Sequence, residues 1–259
     1  ATYFEKREEW DYLIALYEDQ LRGGGVRPGE EAGIGFQIAM VHWRMRGTPD
    51  AAEPYFDRLR RSEPAHPGML TFFRELLVAR GDHARLVSIL SDAQRALPEG
   101  PEKTAIAAEV AALAETSGNA QKAIDQYKAI LRHDPTDQAA RAALRRLYTQ
   151  TGAHNALVEL LRQDLERTPE AEKNARLAIL REIAALYRDH VKSDTALVTV
   201  LTQVTALDER DVDALRDLVR VYETLGRFRD LLAQQTRLAE LLPPGDEKTE
   251  LYRHVAPRW

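Results

Sequence analysis

Acid–base or metal chemistry would have to come from seven histidines: His42, His66, His83, His133, His154, His190 and His254. No two stand in the His-Glu-x-x-His spacing of helical zinc sites, and none completes a facial triad. His66, His83, His133 and His154 fall at expected turns or helix ends, where solvated capping is the expected role. The chain has no cysteine, which excludes thiolate nucleophiles, disulfides and thiolate zinc sites. Gly23-Gly24-Gly25 is followed by Val26, Arg27 and Pro28 rather than Lys-Ser/Thr, so it reads as a helix terminator and not as a phosphate loop. No Gly-x-Ser-x-Gly elbow occurs. Acidic pairs such as Glu8-Glu9 and Glu30-Glu31 sit near helix starts, where the helix dipole favours them. The expectation is a chain without a catalytic constellation, a metal site or a cofactor: not an enzyme.

The 259 residues are 44% hydrophobic and 30% charged, enough apolar surface for a substantial core. That length allows one large domain, two ordinary ones or a modular array. The 36 basic residues are outnumbered by 41 acidic ones, and the net charge of -5 argues against nucleic acid or anionic membrane as the partner. No stretch of about 18 residues is free of charge, so direct membrane insertion is not expected. The chain starts at Ala1 without a basic-then-apolar leader, and is expected to be a processed form or a piece of something longer. Its compartment stays open between cytoplasm and periplasm.

Helical periodicity runs almost from end to end, broken at short intervals by Gly47-Thr48-Pro49, Gly81-Asp82, Gly118-Asn119, Thr151-Gly152, Lys192-Ser193 and Leu225-Gly226. Pro64, Pro98, Pro135, Pro169 and Pro243 close the helical runs between them. The pattern is a string of helical hairpins. Each second helix carries a small or aliphatic anchor, Leu13, Ala52, Leu86, Ala123, Leu157, Ala196 and Leu231, at intervals of 39, 34, 37, 34, 39 and 35 residues. A 34-residue hairpin, extended at some inter-repeat loops, accounts for all six intervals. The best units, Gly81…Leu86…Leu90…Ala93…Pro98 and Gly118…Ala123…Tyr127…Ile130…Pro135, have a small turn residue, a packing residue, a large residue and a closing proline. On these residues the chain resembles the tetratricopeptide repeat family, over about residues 3–256. Leu-type and Ala-type anchors alternate, as do long acidic and short loops, so the duplicated unit is read as a pair of hairpins, similar to the two-hairpin arrays of some large bacterial proteins.

The resemblance implies an all-α, right-handed superhelical solenoid over 1–259. It would hold an unpaired helix at 3–22, hairpins at 30–62, 67–96, 102–133, 137–167, 172–206 and 210–242, and a capping helix at 246–256. Trp10, Leu13, Ile14 and Tyr17 are expected to pack on the first hairpin, and Leu251, Tyr252 and Val255 to cap the last. Tyr12, Tyr17, Tyr127, Tyr148, Tyr187 and Tyr222 are expected in the core with their hydroxyls at its rim.

In the resembled family the first helix of each hairpin lines a concave groove. Helical spacing then puts Ile34, Gln37, Val41 and Arg44 toward it from the first hairpin, and Gly68, Thr71, Glu75 and Val78 from the second. The expected partner-binding positions are Ala105, Ala108 and Ala112, then Ala139, Ala142 and Arg146, then Ala178, Arg181, Ala185 and Arg188, and finally Arg216 and Arg220. Alanines would lower the groove floor for close approach, and arginines could grip carboxylates in pairs. Two readings of the arginines stay open: a wall that orients an acidic partner, or ion pairs with nearby acids such as Glu182, Asp217 and Glu223. The Lys/Asn clamp by which some family members hold a chaperone tail is absent, its places taken by residues such as Gln37, Val41, Thr71 and Glu75. The expected function is a non-catalytic interaction scaffold that takes a peptide or helix of another protein. The alternative is a structural segment of a larger repeat protein in a multiprotein, envelope-associated complex.

Overall fold

The computed structural model describes residues 9–22 and 30–255. The Gly23-Gly24-Gly25 terminator, residues 3–8 of the expected first helix and residue 256 lie outside them, as does the Val255 side chain. All regular secondary structure among the described residues is helical, in fourteen helices. They are α1 Trp10–Arg22, α2 Glu30–Met40, α3 Pro49–Ser62, α4 Pro67–Arg80, α5 His83–Ala96, α6 Pro101–Thr116 and α7 Ala120–His133. After these come α8 Gln138–Thr151, α9 His154–Arg167, α10 Lys173–Leu186, α11 Asp194–Leu207, α12 Val212–Thr224, α13 Phe228–Leu241 and α14 Asp246–Val255. Two helices end in a π-helical turn, Val41–Met45 after α2 and Tyr187–Val191 after α10. The chain forms two compact units, residues 1–143 and 144–259, the division falling within α8.

Local chemistry sets the helix ends. Asp82, Asn119, Asp137 and Asp211 each accept a hydrogen bond from the amide three residues on, the side-chain cap that satisfies a free helix donor. His66 does the same through its ring, Nδ1 taking the Met69 amide at 3.3 Å. Pro49, Pro67 and Pro101 occupy the first helical turn, where no donor is lost. At the other end the chain reverses through a residue with positive φ: Gly47, Gly81, Gly118, Gly152 and Gly226 in five turns and Lys192 in the sixth. Beyond this residue an amide closes the helix. Asp82, Asn119, Ala153 and Arg227 donate to the carbonyl five residues back, whereas Thr48 and Ser193 reach six back, to His42 and Tyr187. The two π-helical turns thus carry one extra residue each. Part of the long anchor intervals into Ala52 and Ala196 therefore arises inside a first helix, where the sequence had placed it in the connecting loops.

Helices pack chiefly on their sequence neighbours within each unit. Such a layout buries an apolar face hairpin by hairpin. In the first unit the core is aromatic: Phe56 stacks on Phe72 with centroids 4.2 Å apart, and Trp43 meets Phe72 edge-on at 5.3 Å. Leu13 and Ile14 of α1 pack with Ile38 and Val41, flanked by Trp10, Tyr17 and Ile34. In the second unit the core is mostly aliphatic, with Leu180, Ile183, Leu201, Val204, Leu215 and Leu218 all buried. Leu251 of α14 packs against Leu215, Leu238 and Leu242.

The tyrosines divide. Tyr148, Tyr187 and Tyr222 are buried, and Tyr127 is half-buried with its hydroxyl donating to Glu115 at 2.8 Å. Tyr12 is 68% exposed and does not fill the core position expected of it, while Tyr252 on the capping helix is 43% exposed. Tyr12 precedes the buried pair Leu13 and Ile14, which sets it on the other side of α1. His154 is not a solvated cap either: its ring stacks on His190 at 3.9 Å.

Candidate interaction face

The first helices of the hairpins are α2, α4, α6, α8, α10 and α12. Their buried positions recur every three to four residues, as in Ile106, Ala107, Val110, Ala111 and Ala114 of α6, which leaves a stripe of small residues facing solvent. Ala105, Ala108 and Ala112 lie on that stripe and are exposed, as are Ala139, Ala142, Arg146 and Ala178, while Ala185 is half-buried. Val41 departs from its expected place. It is buried, packed with Ile38 against Leu13 and Ile14 of α1. Gly68 is also no open groove position: a Cβ there would lie 2.8 Å from the Phe36 ring.

The arginines are held within the chain. Each of a recurring set on one first helix reaches a carboxylate on the next first helix or at its entry. Arg44 meets Glu75 at 2.9 Å, and Arg74 meets Glu109 through both Nε and Nη2, the latter at 2.7 Å. In the second unit Arg145 pairs with Glu182, and Arg188 with Asp217 at 2.8 Å. Arg216 takes both oxygens of Glu247 at 3.0 Å. Arg181 forks, giving Nε to Asp211 at 2.8 Å and Nη2 to Asp208 at 3.1 Å. Arg220 pairs with Asp217 on its own helix. Hydrogen bonds from Arg188 hold the Asp189 carboxyl below the usual carboxylate range, and those from Arg216 do the same to Glu247. Asp217 pairs with two of the expected arginines, Arg188 and Arg220, whereas Glu182 pairs with Arg145, which is not among the expected positions. Asp208, Asp211, Glu109 and Glu247 were not foreseen, although the repetition of Asp-x-x-Asp at 134–137 and 208–211 was visible in the sequence.

Each unit has a cleft beside its first helices. Between α10 and α12, Ala184, Ala185, Ala214, Leu201 and Val204 floor a cleft of about 410 Å³, rimmed by Arg181, Arg188, Asp211, Asp213 and Asp217. Beside α6, a second cleft of about 410 Å³ is lined by Thr104, Ala105, Ala108 and Ile130, with His133, Asp134 and Asp137 at its edge. The structure thus brings Arg181, Ala185 and Arg188 together, and Ala105 with Ala108. Ala112, Ala139, Ala142, Arg146, Ala178, Arg216 and Arg220 line neither cleft. Among the described residues no group of three or more histidine or acidic side chains is placed to hold a metal ion. No helix among them is long and apolar enough to cross a membrane.

No protein-family model matches the chain, and no curated protein matches its sequence. Solved structures similar to it include a tetratricopeptide repeat protein from Parabacteroides merdae, at 17% identity over 89% of this chain and 87% of that one, with a TM-score of 0.37. Another is a Podospora anserina kinesin light chain described by its TPR-like repeats, at 21% identity over 70% and 94% of the two chains, TM-score 0.36. The APC/C hetero-tetramer Cut9-Hcn1 aligns with 97% of this chain at 14% identity and a TM-score of 0.36. The chain spans about half the length of that last protein, 47%. At such identities and TM-scores the weight rests on the chain's own helix order and turn geometry. Those give an all-α, tetratricopeptide-like series of helix–turn–helix units.

Proposed function

We propose that this chain is a non-catalytic protein-interaction scaffold whose first-helix face receives an extended or helical segment of a partner protein. The observation that supports it is the pair of alanine-floored clefts on that face, which leave room for a side chain between consecutive hairpins. The internal pairing of the arginines changes what they do for a partner. An exposed ion pair contributes about 0–1 kcal/mol, and arginines already engaged add little steering toward an acidic ligand. Affinity on this reading comes from the clefts, with the arginine rungs fixing the spacing of the first helices.

A photo-crosslinking residue placed at Ala112 or Ala185 should capture the partner in the native host extract. The same residue at Glu159 or Gln203, exposed on second helices, should not. Equal capture from all four positions, or capture from the second helices alone, would overturn the assignment of the face.

A further inference from the structure

Each unit carries an Asp-x-x-Asp turn beside its cleft, and the two turns differ in the side chain that meets them. In the second unit Asp208 and Asp211 flank the turn into α12: the Asp208 carboxylate accepts the Arg210 amide, and Asp211 caps Ala214. In the first unit Asp134 accepts the Thr136 amide at 2.9 Å, and Asp137 caps Ala140 at 2.9 Å. The two Asp-x-x-Asp turns are 74 residues apart. The preceding first helices align at 73 residues, Ala105 on Ala178 and Ala112 on Ala185, the extra residue being the π-helical insertion after α10. At that offset Arg181, which sends its guanidinium into the Asp208/Asp211 pair, corresponds to Ala108.

The first unit therefore has the acidic pair but, with alanine at the position of Arg181, lacks the guanidinium. In its place is the cleft lined by Thr104, Ala105, Ala108 and Ile130. Among the described residues neither Asp134 nor Asp137 forms an ion pair with a basic side chain. Arg141 donates Nε to the Pro135 carbonyl at 3.0 Å, and His133 stands at the cleft edge.

We propose that the α6 cleft binds an arginine side chain of a partner protein, its guanidinium taking between Asp134 and Asp137 the place that Arg181 takes between Asp208 and Asp211. This rests on the first-helix face being the partner-binding face, and it names the side chain that face accepts. A planar, forked donor matches two carboxylates held three residues apart better than a point-charge ammonium does. The alanines let its stem approach the helix backbone closely.

The probe is N-acetyl-arginine amide, titrated at pH 7.5 into the isotope-labelled full chain and followed by amide chemical shifts. Saturable shifts are expected at residues 104–108 and 133–140, with a Kd on the order of millimolar. The neutral N-acetyl-citrulline amide should leave those amides in place. Asp134→Asn with Asp137→Asn should abolish the response while keeping the cap, since asparagine caps as well as aspartate. Ala108→Arg should abolish it by filling the cleft from within. Conversely, Arg181→Ala should open a second site, adding saturable shifts at 208–214. Absence of saturation, survival of the response in the double Asn variant, or an equal response to N-acetyl-lysine amide would overturn the proposal. Crosslinks confined to the first helices without an arginine response would refute this inference alone. An arginine response with crosslinks confined to the second helices would refute the face assignment alone.

Discussion

Asp211 is the most enclosed partner in the arginine ladder: its side chain is 8% exposed, against 51% for Arg181. Replacing Arg181 by Glu would set a third carboxylate against Asp208 and Asp211. Arg181→Glu should therefore lower the stability of the second unit by roughly 1 kcal/mol, read as a shift in the urea midpoint that shrinks in 1 M salt. Titration carries a second test. Burial pushes the His42 imidazole below its ordinary range, and the nearby Arg46 adds to the effect. The unfolded chain protonates this histidine first, so its contribution to stability is full above about pH 6.5 and is lost as pH falls through that value toward the lower folded one. The wild-type urea midpoint should fall between pH 7.5 and 5.5, and His42→Gln should show a smaller fall.

Lys192 does what glycine does elsewhere in the array. Five of the six hairpin turns place glycine at the residue with positive φ, and Lys192 adopts φ 54° in the equivalent turn after α10. A side chain in that region costs about 1 kcal/mol, because its Cβ crowds the following carbonyl. Lys192→Gly should raise the stability of the second unit by about 0.5–1 kcal/mol, while Gly81→Ala should lower that of the first by about 1 kcal/mol. Thermal melts of the two variants measure both. If Lys192→Gly is destabilising, the lysine side chain holds something that the turn geometry does not show.

On the scale of the chain, packing between consecutive hairpins makes damage local. Phe72 is fully buried between Phe56, Phe73 and Trp43, and truncation to alanine should cost about 3–5 kcal/mol. In hydrogen exchange, Phe72→Ala should deprotect α2–α5 strongly and leave α12 and α13 near wild-type rates. Uniform loss of protection across all helices would mean that the chain unfolds as one cooperative body.

Helix, turn and hairpin were legible in the sequence because they are local. Period-3.6 apolar stripes and turn glycines act over four or five residues, and Gly47, Gly81, Gly118, Gly152 and Gly226 take positive φ at the turns the sequence marked. So was the solvent-facing stripe of Ala105, Ala108 and Ala112, which follows once the buried stripe of α6 is known. The two π-helical turns were not: a single inserted residue changes the hydrogen-bond span from five to six without altering composition. The arginine ladder was hidden for a different reason. Its rungs join residues 27 to 37 apart, and which acid a long guanidinium reaches depends on how far apart two packed helices lie. Sequence determined that arginines and aspartates share this face. Only tertiary packing decided that Arg181 satisfies one acidic pair while Ala108 leaves the other open.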